Sequence, residues 1–397
     1  MHMKLQILTT GNLKWRKKMH FYPLIIILIL PTIPRGYEEN EQFQDINHCC
    51  GDKYEVHEHI HTGDAPGSGD PIVDILAGHA RGGFTQNWSF PTLPSTAKGR
   101  IMNKVKLTSG SLIEERATEF RPVELRTRMG TIIGTAEFTE QPTSPPTTGR
   151  PFYAFRGIPY AAPPVGRLRF RDPQEIEVPW PGGRLDATQF RPFCPQYDHD
   201  TNQVVGQEDC LYLNIYTPAV PDQSRARLPV LVFLHGGSYL RGTASSLGPR
   251  KLMREDIVVV TANFRLGILG FLSTRDEYLP GNYGLLDQVE ALRWVQRNIA
   301  QFGGDPNRVT LGGFDSGAAA VHLHMLSPRS KGLFNGAIMM SGAGNCVWSI
   351  SEEPEDAAYV VGRHLDCSTW STWYLRECLM DKTTDELIRA QAEKHIT

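Results

Sequence analysis

Five residues, Gly313-Phe-Asp-Ser-Gly317, constrain this chain more than any other feature. Before them lies Arg308-Val-Thr-Leu-Gly-Gly, a short apolar run that reads as a strand, and after them Ala318-Ala-Ala-Val-His-Leu-His-Met-Leu326 reads as a buried helix. A strand that turns into a helix within one pentapeptide, with glycine at both ends, has the form of a nucleophile elbow. The glycines leave room for a tight turn, which lifts its third residue above a sheet at a helix N-terminus. The lifted residue is Asp315, where the motif G-x-S-x-G carries its nucleophilic serine.

The flanking sequence supplies the sheet that such a turn needs. Leu228-Pro-Val-Leu-Val-Phe-Leu234 and Ile257-Val-Val-Val-Thr261 are continuous apolar runs, as expected for parallel strands buried on both faces. Leu285 to Ile299 carries apolar residues at helical spacing, and Val309-Thr-Leu is the next strand. Strand, helix, strand, elbow, helix is an α/β order. Leu125 to Gly134, alternating and rich in β-branched residues, is predicted as one edge strand, followed by a Pro-rich loop at Pro142-Thr-Ser-Pro-Pro146.

Residues 37–121 have no sustained apolar periodicity and are broken by Gly63-Asp-Ala-Pro-Gly-Ser-Gly-Asp-Pro71 and Phe90-Pro-Thr-Leu-Pro-Ser-Thr96, so they are expected to be low-complexity and disordered. Within residues 1–36, Lys14, Arg16, Lys17 and Lys18 precede the apolar run Phe21 to Leu30, which suits a secretory signal and is too short for a membrane span. At 397 residues and 40% hydrophobic, the chain can bury a large core. With 41 Lys+Arg against 43 Asp+Glu the net charge is -2, which removes any general electrostatic case for nucleic-acid binding.

A set of blocks in order, Phe152-Tyr-Ala-Phe-Arg-Gly-Ile-Pro-Tyr-Ala-Ala-Pro-Pro164, Glu208-Asp-Cys-Leu-Tyr-Leu-Asn-Ile-Tyr-Thr-Pro218, His235-Gly-Gly, Ala262-Asn-Phe-Arg-Leu-Gly-Ile-Leu-Gly-Phe271, Gly281-Asn-Tyr-Gly-Leu-Leu-Asp-Gln288 and Phe302-Gly-Gly-Asp-Pro306, resembles type-B carboxylesterases and cholinesterases. The resemblance covers residues 122–397. It implies an α/β-hydrolase fold, a mostly parallel sheet with helices on both faces. The family elbow reads G-E-S-A-G, so the resemblance also implies that Phe314 and Asp315 replace a glutamate and the serine nucleophile. It places the oxyanion hole on the backbone N–H groups of Gly237, Ser238 and Ser316. In the family the triad acid and histidine follow the nucleophile by well over a hundred residues. This sequence stops at Thr397, before that distance is reached, so it is expected to be the N-terminal portion of the domain, with acid and histidine absent. His322, His324 and His364 come too early to replace them.

Four of the seven cysteines form two local pairs, Cys194 with Cys210 and Cys367 with Cys378, each bracketing a polar loop. Both pairs match disulfides of the resembled family, which implies an oxidising compartment; the alternative is a set of reduced buried thiols. Cys49, Cys50 and Cys346 receive no role. Asn87-Trp-Ser is an N-glycosylation sequon if the segment is luminal. His57, His59 and His61 alternate, but no second cluster completes a zinc-ligand set, so neither a metal nor a cofactor is expected.

Two functions remain open. The first is a catalytically inactive member, acting at the cell surface or in secreted form as an adhesion or binding protein with a protein partner. The resembled family contains such non-catalytic adhesion proteins, among them neuroligin, neurotactin, glutactin and gliotactin. The alternative is a carboxylic-ester or related hydrolase acting on a small ester, with Asp315 as covalent nucleophile as in hydrolases with G-x-D-x-G, and with its acid and histidine in a missing C-terminal region. Ser316 does not substitute as nucleophile, because one step along a helix rotates a side chain by about 100°. Cholinesterase activity is disfavoured because the segment from Pro195 to Gln207 lacks the tryptophan that in cholinesterases holds a quaternary ammonium.

Overall fold

The structure is a computed structural model that describes residues 4–8, 24–28 and 121–394, apart from 140–148, 177 and 222–225. The expectations for Asn87, for Cys49 and Cys50 and for His57, His59 and His61 lie outside the described residues, as does the secretory segment 1–36 apart from residues 4–8 and 24–28. At the N-terminus the short strands β1 (Lys4–Leu8) and β2 (Leu24–Leu28) pair in parallel.

The body of the molecule is a nine-stranded sheet. Its strands are β3 (Arg121–Thr127), β4 (Gly130–Phe138), β5 (Pro151–Pro159), β6 (Arg184–Asp186), β9 (Tyr212–Thr217), β10 (Leu228–Leu234), β11 (Val258–Ala262), β12 (Gly304–Phe314) and β13 (Gly336–Met340). They lie in the order β13-β12-β10-β11-β9-β5-β4-β3, with β6 on β4. Strands β11, β10, β12 and β13 run parallel to one another, and the sheet continues antiparallel through β9, β5, β4 and β3. A separate hairpin, β7 (Gln196–Asp198) with β8 (Gln203–Val205), stands in the loop between Cys194 and Cys210.

The stretch from Leu125 to Gly134 is not one strand. It is parts of β3 and β4, joined by a turn at Arg128-Met129. Gly130 leaves that turn at a φ of 127°, a conformation glycine adopts without strain.

The two faces of the sheet are covered differently. Val230, Val232 and Leu234 of β10, with Val258 and Val260 of β11, pack in one core with Leu292 and Val295 of helix α2 (Tyr283–Asn298) and Ala318, Ala320 and Val321 of helix α3 (Ser316–Leu326). The alternate residues Leu231 and Val259 face the other way, against Phe152, Tyr216, Met253, Ile257 and Ile338. Alternation along each strand thus divides an unbroken apolar run between two cores.

A further cluster gathers α1 (Gly267–Phe271), α4 (Pro354–His364), α5 (Thr372–Asp381) and α6 (Thr384–Glu393) around Leu269, Val361, Leu375, Leu379 and Leu387. Arg169 ties this cluster to the sheet side. Its Nε donates to Glu208 Oε2 at 2.9 Å and its Nη1 to the carbonyls of Met380 at 3.0 Å and Lys382 at 2.6 Å. Thr384 donates to the same Glu208 carboxylate.

Candidate functional site

The elbow lies where β12 meets α3. Asp315 has φ 56° and ψ -122°, a region that non-glycine residues enter at a cost of about 1–3 kcal/mol. Its N–H donates to Met340 O of β13 at 2.9 Å, and its carbonyl accepts from Ala318 and Ala319, which starts α3. The flanking glycines are required by close approach. A Cβ at Gly313 would stand 2.3 Å from Gly317 O, and one at Gly317 would stand 2.4 Å from Leu234 O.

The side chain of Asp315 turns toward the loop that follows β10. Oδ2 accepts from Gly237 N at 2.8 Å and from Ser238 N at 3.1 Å. These are two of the three amides that the sequence resemblance assigns to the oxyanion hole. The carboxylate therefore occupies the place those amides offer to an anion, and it does so beside the N-terminus of α3, where the helix dipole favours negative charge. Ser316, the third proposed donor, is only 1% exposed, and its Oγ accepts from Tyr239 N at 3.2 Å. Its hydroxyl oxygen is thus engaged by the loop that follows β10. Gln196 clamps the same loop further along, accepting from Gly242 N at 2.9 Å and donating to Gly242 O at 3.0 Å.

None of the described histidines hydrogen-bonds to Asp315. His235 is buried, stacks on Phe264 at 4.4 Å between centroids and shares its Nδ1 with Gly236 O. His322 Nδ1 accepts from Gly344 N at 3.0 Å. His324 engages Ser330 through Nδ1 and Gln288 through Nε2, both at 2.8 Å. His364 meets Glu393 at 3.0 Å. Among the described residues no group of His, Cys, Asp and Glu is arranged to hold a metal ion.

Burial lowers the pKa of both His235 and His324 to about 4. Both rings are neutral in the fold, and this has a measurable consequence. An unfolded histidine titrates near 6.5, so between about 6.5 and about 4 the unfolded chain takes up protons that the native chain refuses. Stability therefore falls as pH is lowered through that window, by about 1.4 kcal/mol per pH unit for each ring, while above it the two rings contribute no pH dependence. Urea midpoints measured at pH 7 and pH 5 are expected to differ accordingly, with a smaller difference in His324→Gln. Identical midpoints at the two pH values would contradict the neutral assignment.

The paired cysteines are joined. Cys194 bonds Cys210 and Cys367 bonds Cys378. Among the described residues no helix is long and apolar enough to cross a membrane.

Comparison with known proteins agrees with this geometry. Esterase FE4 of Myzus persicae is 42% identical over 271 residues, covering 67% of this chain and 46% of that protein. Juvenile hormone esterase of Tribolium castaneum is 45% identical over 227 residues, covering 56% of this chain and 37% of that protein, and neuroligin-2 of Mus musculus is 39% identical over 276 residues, covering 60% and 33%. A crystal structure of juvenile hormone esterase from Manduca sexta, with OTFP covalently attached, superposes with a TM-score of 0.61 at 36% identity, covering 69% of this chain and 51% of that one. The chain spans about half the length, or less, of the relatives it matches. Residues 121–397 match the carboxylesterase family, and with this sheet, elbow and oxyanion loop the chain belongs to that family.

Proposed function

We propose that this chain is a catalytically inactive carboxylesterase-family protein that serves as a binding or adhesion platform, secreted or at the cell surface, with a protein partner. One observation carries the reading. Asp315 stands at the nucleophile position in place of a serine, and its carboxylate sits on the Gly237 and Ser238 amides, so that the oxyanion hole is already filled by an anion. A substrate carbonyl meets charge repulsion where the family fold would give it donors. The disulfides Cys194–Cys210 and Cys367–Cys378 support passage through an oxidising compartment. The similarity to neuroligin-2 supports a binding role of the kind implied by the sequence resemblance.

The direct test is reactivity. The purified protein is expected neither to hydrolyse p-nitrophenyl or acetylthiocholine esters nor to be labelled by a fluorophosphonate. Stoichiometric labelling at the elbow, or turnover abolished by Asp315→Ala, would end this proposal.

A second reading has an observation of its own. With Oδ2 held by the two amides, Oδ1 is the oxygen that would attack the alkyl carbon of an ester, breaking its C–O bond and releasing the acid as a carboxylate. Water attacking the resulting aspartyl ester would then place developing charge on Oδ2, where the amides lie. That route also requires a histidine to activate the water. In single-turnover reaction with an ester in heavy-oxygen water, substrate consumption without added mass on the Asp315 peptide would exclude it.

A further inference from the structure

We propose that Trp370 is a C-mannosylation site, carrying one mannose on the C2 carbon of its indole. Trp370-Ser-Thr-Trp373 places two tryptophans at the i, i+3 spacing that luminal C-mannosyltransferases recognise, with the first as acceptor. The segment lies inside the loop closed by Cys367 and Cys378 and runs into the first turn of α5.

The fold leaves the acceptor in solvent. Trp370 is 88% exposed, with its backbone N–H weakly bonded to Ser368 Oγ at 3.5 Å. Tryptophan is highly buried on average, because its large ring gains more from leaving water than almost any other side chain. Trp373, 43% exposed, sets its ring edge-on to Tyr374 at 4.8 Å, and Tyr374 is itself 51% exposed. The core packing of α5 instead uses Leu375 and Leu379 on its opposite side. A hexose on Trp370 would therefore displace nothing, and it would turn an apolar protrusion into a hydrated one. The disulfide holds the loop in this presented form.

The chemistry needs one co-reactant, a dolichyl-phosphate mannose. The indole C2 attacks the anomeric carbon, a carbon–carbon bond forms, and the anomeric C–O bond breaks. Dolichyl phosphate leaves with that electron pair. Loss of the C2 proton to a base of the transferase restores the aromatic ring, and no oxidation or reduction occurs. Transferase and lipid donor meet the chain in the secretory lumen, so the inference rests on the secretory reading drawn from the disulfides.

The test is peptide mass spectrometry of the full chain, secreted from a host shown to C-mannosylate a reporter with the Trp-x-x-Trp spacing. The peptide spanning Cys367 to Cys378 is expected to carry one hexose that survives β-elimination, with fragment ions placing it on Trp370. Trp373→Ala and the milder Trp373→Phe should both reduce occupancy at Trp370 several-fold, and Trp370→Phe should abolish it. A Cys367–Cys378-linked peptide with unmodified Trp370 would overturn the site while leaving the secretory reading intact. Free thiols together with an unmodified indole would remove both. A hexose released by β-elimination would belong to Ser368, Thr369, Ser371 or Thr372 and would also refute the proposal.

Discussion

Replacing Asp287 by alanine is expected to destabilise the fold by about 3–5 kcal/mol, because it leaves a buried guanidinium without its counter-ion. Asp287 lies on α2 and is wholly buried. Its carboxylate accepts from Arg265 N at 3.0 Å, Nε at 2.8 Å and Nη2 at 2.7 Å, while Arg265 Nη1 donates to Arg171 O at 2.8 Å. Burial works against charge on Arg265, but Asp287 beside it outweighs that and holds the guanidinium above its ordinary pKa. The pair sits one step from the site. Gly267, two residues after Arg265, donates its N–H to Tyr239 O at 2.8 Å, and Tyr239 is tied in turn to Ser316. Loss of Asp287 should therefore loosen the oxyanion loop as well as lower stability. Urea denaturation of Asp287→Ala, compared with the double variant Arg265→Met/Asp287→Leu, checks the cause. The double variant should be much the milder, since replacing a whole buried pair with apolar side chains is often neutral. A single variant as stable as the parent would show that the pair contributes little.

Removal of the bond between Cys194 and Cys210 is expected to cost about 3 kcal/mol in loop entropy alone, for a sequence separation of 16. Both cysteines are buried in the main core beside Leu211 and Tyr160, so a Cys194→Ala/Cys210→Ala variant also leaves space there. The loop they close carries the β7–β8 hairpin and Gln196, whose side chain clamps Gly242. Secretion yield and thermal midpoint should both drop, and limited proteolysis should open the chain between Pro195 and Gln207. A variant with an unchanged midpoint and no new cleavage would show that the core alone holds this loop.

The legible parts of the sequence were those where one residue type reports its own surroundings. Leu228–Leu234 could only be a strand buried on both faces, and the spacing of Gly313 and Gly317 around Asp315 could only serve a tight elbow. The β3–β4 hairpin was hidden because Arg128-Met129 is not a strong turn signal and the alternation continues across it. The start of α6 carries a readable signal of its own. Thr383 and Glu386 form a capping box, spaced as such boxes are. What no local pattern reveals is pairing at long range. The contact of Asp315 with Gly237 spans 78 residues, and that of Arg265 with Asp287 spans 22, so each becomes visible only when the sheet brings the strands' ends together. The aspartate at the elbow is visible as one letter of the sequence, whereas the seat of its carboxylate on the Gly237 and Ser238 amides requires the fold.

The backbone at Asp315 also limits how this position can change by mutation. Aspartate and serine codons differ at no fewer than two bases, so every two-step conversion of one into the other passes through glycine, asparagine, alanine or tyrosine, none of which places a hydroxyl on Cβ. At φ 56° and ψ -122° these four are far from equivalent. Glycine occupies that region without strain, asparagine tolerates positive φ better than most, and alanine or tyrosine bears the full steric penalty. The stepwise route between serine and aspartate at this position therefore runs through glycine most easily. The backbone of the turn thereby also restricts the genetic path between the two residues.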